Sequence, residues 1–155
     1  MKSRIRAALM IAAIICLFAS IASAQTKPNF SGAWKLNPQK SKYAGGDPIA
    51  FLMKIDHKEP ALIEDWIVPL PDGEYKLHAE YSIGGKETEM DLKGRKVKTS
   101  AKWEGDTLLI IWLSEGREFK RKITLSADGK ILTEAQTELK DGREQSGDTV
   151  VFEKQ

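Results

Sequence analysis

Cysteine is almost absent from this 155-residue chain. The single one, Cys16, stands among the first 24 residues, and Ile15 before it is larger than the small residue that a lipoprotein signal needs at that place. Beyond residue 24 the sequence therefore offers no disulfide, no thiol nucleophile and no thiolate ligand for a metal. Its stability must come from a hydrophobic core and from backbone hydrogen bonds.

Long hydrophobic runs are also absent. The longest, Ala7–Ala19, falls short of the ~18 apolar residues that a membrane-spanning helix needs. It precedes Ala22-Ser23-Ala24, a small-x-small cleavage pattern, and it follows three basic residues, Lys2, Arg4 and Arg6. This arrangement is typical of a secretory signal peptide. We therefore expect a signal peptide over residues 1–24, cleaved after Ala24, and a secreted or periplasmic protein with no transmembrane segment.

A strong excess of one charge is the third absence. The whole chain has 24 basic and 22 acidic side chains, and three of the basic ones belong to residues 1–24. Residues 25–155 thus carry 21 basic against 22 acidic side chains. Nucleic-acid-binding proteins show a marked basic excess, so no nucleic-acid partner is expected. The length suits a single domain over residues 25–155.

Helical periodicity is missing as well, because beyond residue 24 no segment keeps an apolar spacing of 3.6 residues for three turns. The chain has instead a series of glycines, 10 to 13 residues apart, with Val, Ile, Leu, Thr, Tyr and Trp between them. The series is Gly73, Gly84, Gly94, Gly105, Gly116, Gly129 and Gly142. Short strands at such intervals, separated by turn residues, predict an antiparallel β-meander.

Alternation of apolar and polar residues assigns side chains to the two faces of these strands. Every second residue from Tyr75 to Ile83 is apolar, which is the pattern of a strand with one buried face. A two-residue turn at Gly105-Asp106 predicts a hairpin with three cross-strand pairs on one face. The pairs are Trp103 with Leu108, Ala101 with Ile110, and Thr99 with Trp112.

The opposite face of this hairpin is apolar too, since it carries Leu109, Ile111 and Leu113 beside lysines. Two interpretations stay open. Lysine stems cover these side chains, or the three residues contact another surface, from the cell envelope or from a second copy of the chain.

The patterns together predict nine or ten strands, with a loop over Asn37–Pro48 and a short last strand, Thr149–Glu153. An open sheet of this size would expose two edges, and closure removes them. We expect an all-β fold, an antiparallel meander that closes into a lipocalin-like barrel of about 8–10 strands. The interior of such a barrel is filled by side chains or holds one small ligand.

Three ordered motifs carry a resemblance to a known family. Phe30–Ser41 reads Phe-Ser-Gly-x-Trp-Lys-Leu-Asn-Pro-x-Lys-Ser, Trp103–Leu108 reads Trp-x-Gly-Asp-x-Leu, and Leu125–Leu132 reads Leu-Ser-x-Asp-Gly-Lys-x-Leu. In this order the chain resembles a group of bacterial secreted lipocalin-like proteins with calycin-type barrels. Gly32 and Trp34 match the Gly-x-Trp with which the first strand of these barrels opens.

The resemblance implies a calycin-type barrel and a carrier of small molecules. In such barrels the first-strand tryptophan closes the floor and a late basic side chain stacks on it. The matching positions here are Trp34 and Lys154. The Asn37–Pro48 loop is too short and too rich in Pro and Gly to hold the two helices that fatty-acid-binding proteins insert between their first two strands.

No pattern points to catalysis or to a metal. His57 and His78 each stand two residues before a glutamate, on one face of a strand, but a zinc site needs three or four ligands. The Glu64-Asp65 pair has the character of solvated surface charge, and the basic clusters 93–98 and 120–122 suit a solvated sheet face or an anionic envelope component. We expect no catalytic residue, no metal and no cofactor.

Aromatic side chains are the most suggestive set, because all four Trp and all three Tyr lie beyond residue 24. In a small barrel they either fill the interior or line a pocket. We expect noncatalytic binding of a small hydrophobic or amphipathic ligand by Trp66, Tyr75, Leu77, Tyr81, Trp103, Ile110 and Trp112. Two alternatives stay open: a filled barrel that acts as a structural or interaction module of the cell envelope, and an unrecognised envelope enzyme.

Overall fold

The computed structural model describes residues 27–44, 51–92 and 94–155. The predicted signal peptide, residues 1–24, and its cleavage site lie outside these residues. Within the described ranges there is no helix long and apolar enough to cross a bilayer.

Ten strands make up the fold, and each pairs antiparallel with the next along the chain wherever the two are hydrogen-bonded. They are β1 Gly32–Leu36, β2 Leu52–Lys58, β3 Ala61–Leu70, β4 Gly73–Ser82, β5 Thr88–Leu92, β6 Arg95–Glu104, β7 Thr107–Ser114, β8 Arg117–Leu125, β9 Ile131–Lys140 and β10 Arg143–Lys154. The first strand also pairs with the last, so that the sheet runs β4-β3-β2-β1-β10-β9-β8-β7-β6-β5.

The two edge strands of this sheet meet, which makes it a nearly closed barrel. Ile83, just after β4, bridges Ala101 of β6, and the carbonyl of Ala101 accepts hydrogen bonds from the N–H groups of Gly84 and Gly85 at 2.9 and 2.8 Å. No ladder joins β4 to β5 in the part of the chain that the structure describes. The predicted all-β meander in a lipocalin-like barrel is thus confirmed, with a seam between β4 and β5.

The register of the central hairpin is the predicted one. Trp103 pairs with Leu108, Ala101 with Ile110 and Thr99 with Trp112. The prediction of a short last strand is wrong, because β10 has 12 residues and pairs with the whole length of β9. A register shift between Glu144 and Ser146 interrupts the alternation there, and an alternation-based prediction therefore starts the strand too late.

One end of the barrel is filled by aromatic side chains. Trp34 is fully buried, and its indole N–H donates to the carbonyl of Phe30 at 2.9 Å. The ammonium of Lys154 lies 5.2 Å from the centre of the Trp34 ring, as the resemblance implies. Phe30 stacks on His57 and on Trp103, with ring centres 5.6 and 5.8 Å apart. This end is the closed floor of the barrel.

The opposite end carries the β3–β4, β5–β6, β7–β8 and β9–β10 turns, since successive strands alternate in direction. Side chains at this end are less deeply buried than those of the floor: Trp66, Tyr75, Trp112 and Phe119 are all intermediate in exposure. We call it the open end.

Candidate functional site

Three charged side chains lie inside the barrel, between the floor and the open end. Glu64 of β3, Arg121 of β8 and Glu134 of β9 are each 0% exposed. Strand alternation explains their position, because each occupies an inward place in its strand, and Glu64 and Arg121 have apolar neighbours two residues away on both sides. Leu62 and Trp66 flank Glu64 in this way.

Arg121 is held between the two carboxylates. Its Nη1 and Nη2 donate to Glu64 Oε2 and Oε1 at 2.8 and 3.1 Å, and its Nε and Nη2 donate to Glu134 Oε2 and Oε1 at 3.0 and 2.5 Å. Four of the five guanidinium N–H groups are thus used. Gln136 Nε2 donates to Glu134 Oε2 at 2.8 Å. A buried ion cluster of this kind is tolerated only because its members satisfy one another.

Aromatic side chains extend the cluster toward the open end. Tyr81 Oη donates to Glu64 Oε2 at 3.4 Å and accepts from Trp112 Nε1 at 3.1 Å. The guanidinium carbon of Arg121 lies 4.8 Å from the centre of the Trp66 ring and 5.9 Å from that of Trp112. The two indoles stack with centres 6.0 Å apart. Together with Tyr81, the two indoles form an aromatic wall over the ion cluster.

The indole N–H of Trp66 is buried without a hydrogen-bond partner among the described residues. It faces the Glu64 carboxylate, close enough to favour its charge, without reaching hydrogen-bonding geometry. A buried donor without a partner is uncommon in folded proteins, and it marks the aromatic wall as a place where polar interactions are incomplete.

Burial governs the ionisation of the cluster. It raises the pKa of Glu64 above the ordinary value of 4.5, and the charge and hydrogen bonds of Arg121 oppose that rise. Burial also disfavours the charge on Arg121, but the Glu134 and Glu64 carboxylates together hold the pKa of the guanidinium above its usual range. Burial, and next the charge of Glu64, raises the pKa of Tyr81, so that its hydroxyl keeps the proton that it donates.

A cavity of about 450 Å³ opens at this end of the barrel. Its apolar walls include Trp112, Phe119 and Val97. The rim carries charges of both signs, which are Arg95, Glu115, Arg117 and Glu138. Arg117 and Glu138 pair with each other at 2.8 Å. The volume is in the range that suits small-molecule sites. A second recess, also about 450 Å³, runs along the β4–β5 seam and reaches Tyr81.

Six of the seven residues predicted to bind a ligand share this half of the barrel. Trp66, Tyr81 and Trp112 form the wall around Arg121. Leu77 is buried opposite Trp66, Ile110 is buried opposite Arg121, and Tyr75 is half-buried on β4, two residues nearer the open end than Leu77.

Trp103 stands apart from these six. It lies in the floor, stacked on Phe30, and its indole N–H donates to Glu59 Oε1 at 2.7 Å. Alternation places it on the inward face correctly, but nothing in the sequence shows that the inward face continues past the cavity into a filled floor.

The sequence prediction missed the ion cluster. The sequence analysis predicts solvated surface charge for Glu64 with Asp65, and a basic cluster on a solvated face for Arg121. Both assignments are wrong, because these side chains are fully buried. The signal was present: Arg121 falls between Phe119 and Ile123 in the inward phase of its strand, although its immediate neighbours are lysines.

The outer surface shows two further features. His78 is exposed, and its ring nitrogens lie 2.7 Å from Asp65 Oδ1 and 3.0 Å from Glu80 Oε1. Bonding to Asp65, then to Glu80, raises the pKa of His78. Of the apolar outer residues, Leu109 is 5% exposed, Ile111 is half-buried and Leu113 is 40% exposed, so Leu113 is the most accessible of the three to a partner.

No group of three or more His, Cys, Asp or Glu side chains with metal-binding geometry occurs within residues 27–44, 51–92 and 94–155. Inside the barrel, both carboxylates of the ion cluster are engaged with Arg121. What the arrangement can do is to hold a small molecule against an aromatic wall with fixed charges behind it.

Comparison with known proteins supports the fold. No family model and no curated protein matches the chain. Among solved structures, a secretory abundant heat soluble protein from Ramazzottius varieornatus is 13% identical, with a TM-score of 0.64, over 81% of this chain and 94% of that one. Secretory abundant heat soluble protein 4 from the same organism is 15% identical, with a TM-score of 0.62, over 85% and 99%.

The wild-type fluorescent protein UnaG is 16% identical to this chain, with a TM-score of 0.58, over 81% of this chain and 97% of that one. Identities this low show the fold alone. The chain shares the barrel fold of these three structures.

Proposed function

We propose that the protein is a secreted or periplasmic, noncatalytic carrier that binds one small hydrophobic or amphipathic molecule in the open end of its barrel. The observation that carries this proposal is the cavity of about 450 Å³ lined by Trp112, Phe119 and Val97, next to a wall of half-buried aromatic rings. The bacterial secreted lipocalin-like group is the family that we propose for it.

Apolar burial would supply the affinity. Each Å² of apolar surface removed from water contributes about 25 cal/mol before the cost of ordering the ligand. Trp66, Tyr81 and Trp112 form the wall, Leu77 and Ile110 stand behind it, and Tyr75 lies toward the rim. The floor side chains fill the rest of the interior, so the ligand is expected to enter only the open half.

Native mass spectrometry tests the proposal. Protein isolated from its host without detergent should carry a reproducible adduct of small-molecule mass that is lost on denaturation. Trp112→Ala should weaken or abolish the adduct, whereas Trp103→Ala, which removes the same side chain from the floor, should leave it in place. Both variants need to be shown folded by circular dichroism.

Two results would contradict the carrier function. One is a bare protein mass that persists after lipid extract is added back. The other is an adduct that neither tryptophan variant affects. In the first case the exposed Leu113 and its apolar neighbours become the better candidate for function, as the contact surface of a structural module. The same spectra test secretion, since cleavage after Ala24 gives a chain that begins at Gln25.

A further inference from the structure

The net charge of the buried ion cluster affects which ligand head groups can bind inside the barrel. With both carboxylates ionised, Glu64, Arg121 and Glu134 sum to a charge of minus one, and when Glu64 holds a proton the sum is zero. In neither state is it positive. Arg121 is the only cation that the described residues place fully inside the barrel, and its charge is already compensated.

An anionic head group therefore finds no counter-ion inside. Arg121 has one N–H group left, because the other four are committed to Glu64 and Glu134. A third carboxylate near it would be repelled by two that are held in place. At the rim, Arg117 is paired with Glu138, and the other two charged lining residues, Arg95 and Glu115, have opposite signs, so the rim carries no net positive charge either.

The aromatic wall favours the opposite kind of ligand. The faces of Trp66 and Trp112 attract cations, as their contacts with Arg121 show. Tyr81 faces Glu64 and keeps its proton, and Tyr43, whose pKa burial and then the Glu134 charge raise to about 12, keeps its proton too. The titratable groups around the cluster thus add no positive charge.

Resting on the function proposed above, we infer that the barrel selects amphiphiles with an uncharged or cationic head group and rejects those with a carboxylate. The cluster acts as a fixed charge filter behind the aromatic wall. A unit charge at roughly 8 Å, in an effective dielectric constant of about 20, changes a dissociation constant by about 30-fold.

Three matched probes test this selectivity. Decanol, decyltrimethylammonium and decanoate each have a chain of ten carbons, the tenth being the carboxylate carbon in decanoate. Each is titrated by calorimetry, at neutral pH and below its micelle concentration, into protein purified after expression of the full chain. Decanol and decyltrimethylammonium are expected to bind at least about tenfold more tightly than decanoate.

A variant makes the test specific to the cluster. Glu134→Gln keeps a hydrogen-bond acceptor beside Arg121 and raises the interior charge by one. It should strengthen decanoate binding by about tenfold or more, weaken decyltrimethylammonium binding by a similar factor and leave decanol unchanged. Glu89→Gln is the control, because Glu89 is an exposed partner of Lys96 and gives the same change in net charge. If Glu134→Gln does not fold, Glu64→Gln takes its place.

The outcomes separate the two proposals. Decanoate binding as tightly as decanol would overturn the charge filter and leave the carrier function standing. An equal response to Glu134→Gln and Glu89→Gln would overturn it too, since the protein's net charge would then explain the preference. Failure of all three probes to bind would overturn the carrier function itself, and the charge filter with it.

Discussion

At the scale of single residues, the phase of a charged side chain within its strand determines whether it is buried or exposed. Lys120, Arg121 and Lys122 are consecutive, yet only Arg121 is buried, because it alone of the three points inward. The same holds for Glu64 beside the exposed Asp65. Burying Arg121 is possible because two carboxylates meet it, and each is stable there only because Arg121 is present.

Removal of Arg121 tests this mutual dependence. Arg121→Met leaves Glu64 and Glu134 buried without a counter-charge, which should lower the free energy of unfolding by about 3–5 kcal/mol at neutral pH. Lys122→Met is the matched control, since that side chain is exposed, and it should change stability by less than about 1 kcal/mol. Urea denaturation measures both, and equal effects would refute a stabilising role for the cluster.

The pH dependence of stability should carry the signature of Glu64. Its pKa is raised in the folded protein, so the folded state binds the proton more tightly than the unfolded state does. The resulting stabilisation is present below the ordinary value of 4.5 and is lost as the pH rises through the higher folded value. Glu64→Gln should remove this loss, and its stability relative to the wild type should grow as the pH rises.

Glu153 should affect the pH dependence of stability in the opposite direction. Its hydrogen bonds with Lys40, and next with Asn37, lower the pKa of its carboxyl. Its stabilisation is therefore present above the ordinary value and lost as the pH falls through the folded one. Urea titrations at pH values below and above 4.5 give the stability of Glu64→Gln and of Glu153→Gln. As the pH changes, the two variants should diverge in stability from the wild type in opposite directions. Parallel curves would rule out the raised pKa of Glu64.

At the scale of elements, the pairing of β1 with β10 explains the Gly-x-Trp motif. Gly32 has φ of 144°, and a Cβ at this residue would lie 2.8 Å from Lys154 Cε. The glycine thus leaves room for the Lys154 stem to cross β1 and place its ammonium over Trp34. The glycine of the motif is therefore needed because the side chain of Lys154, on the last strand, passes close to the backbone of the first strand.

A comparison of two glycines isolates this approach. Gly73 has a similar φ of 139°, but a Cβ there would meet nothing within 4 Å. Alanine at either position should cost about 1–3 kcal/mol from backbone strain. Gly32→Ala should cost a further ~0.5–1 kcal/mol as Lys154 leaves the Trp34 ring. That extra cost should vanish in a Lys154→Ala background, and its persistence there would show that the contact is not the cause.

At the scale of the whole molecule, the barrel is closed unevenly. Nine ladders hold the ten strands, whereas the seam between β4 and β5 is bridged by a few hydrogen bonds to Ala101. Local opening should begin where backbone groups have fewest partners. The seam lies next to Tyr81, so opening there would also loosen the wall of the proposed site.

Hydrogen exchange measures this asymmetry. Amides of β5, Thr88–Leu92, should exchange faster than those of β9, Ile131–Lys140, because β5 pairs on one side only and β9 on both. Mass spectrometry of peptides from the two strands gives the rates directly. Equal protection of both strands would mean that the seam is as stable as the ladders.

The amino-acid pattern alone predicts the strands, their order along the meander and the register of the β6–β7 hairpin. These are local properties, set by alternation and by turn residues such as Gly105-Asp106. The stacking of Lys154 on Trp34 is implied by the resemblance to lipocalin-like proteins and not by the alternation of residues. Alternation places the start of β10 wrongly, because one register shift interrupts it.

Which inward-facing side chains become neighbours follows from the folded barrel and not from the local pattern. Trp103 and Trp112 have the same phase on neighbouring strands, yet one lies in the floor and the other lines the cavity. Glu64, Arg121 and Glu134 come from three strands far apart in sequence, and they meet only when the sheet curls on itself. The physical reason is closure: alternation tells which side of a strand faces inward, but the curvature of the whole sheet determines which inward residues become neighbours.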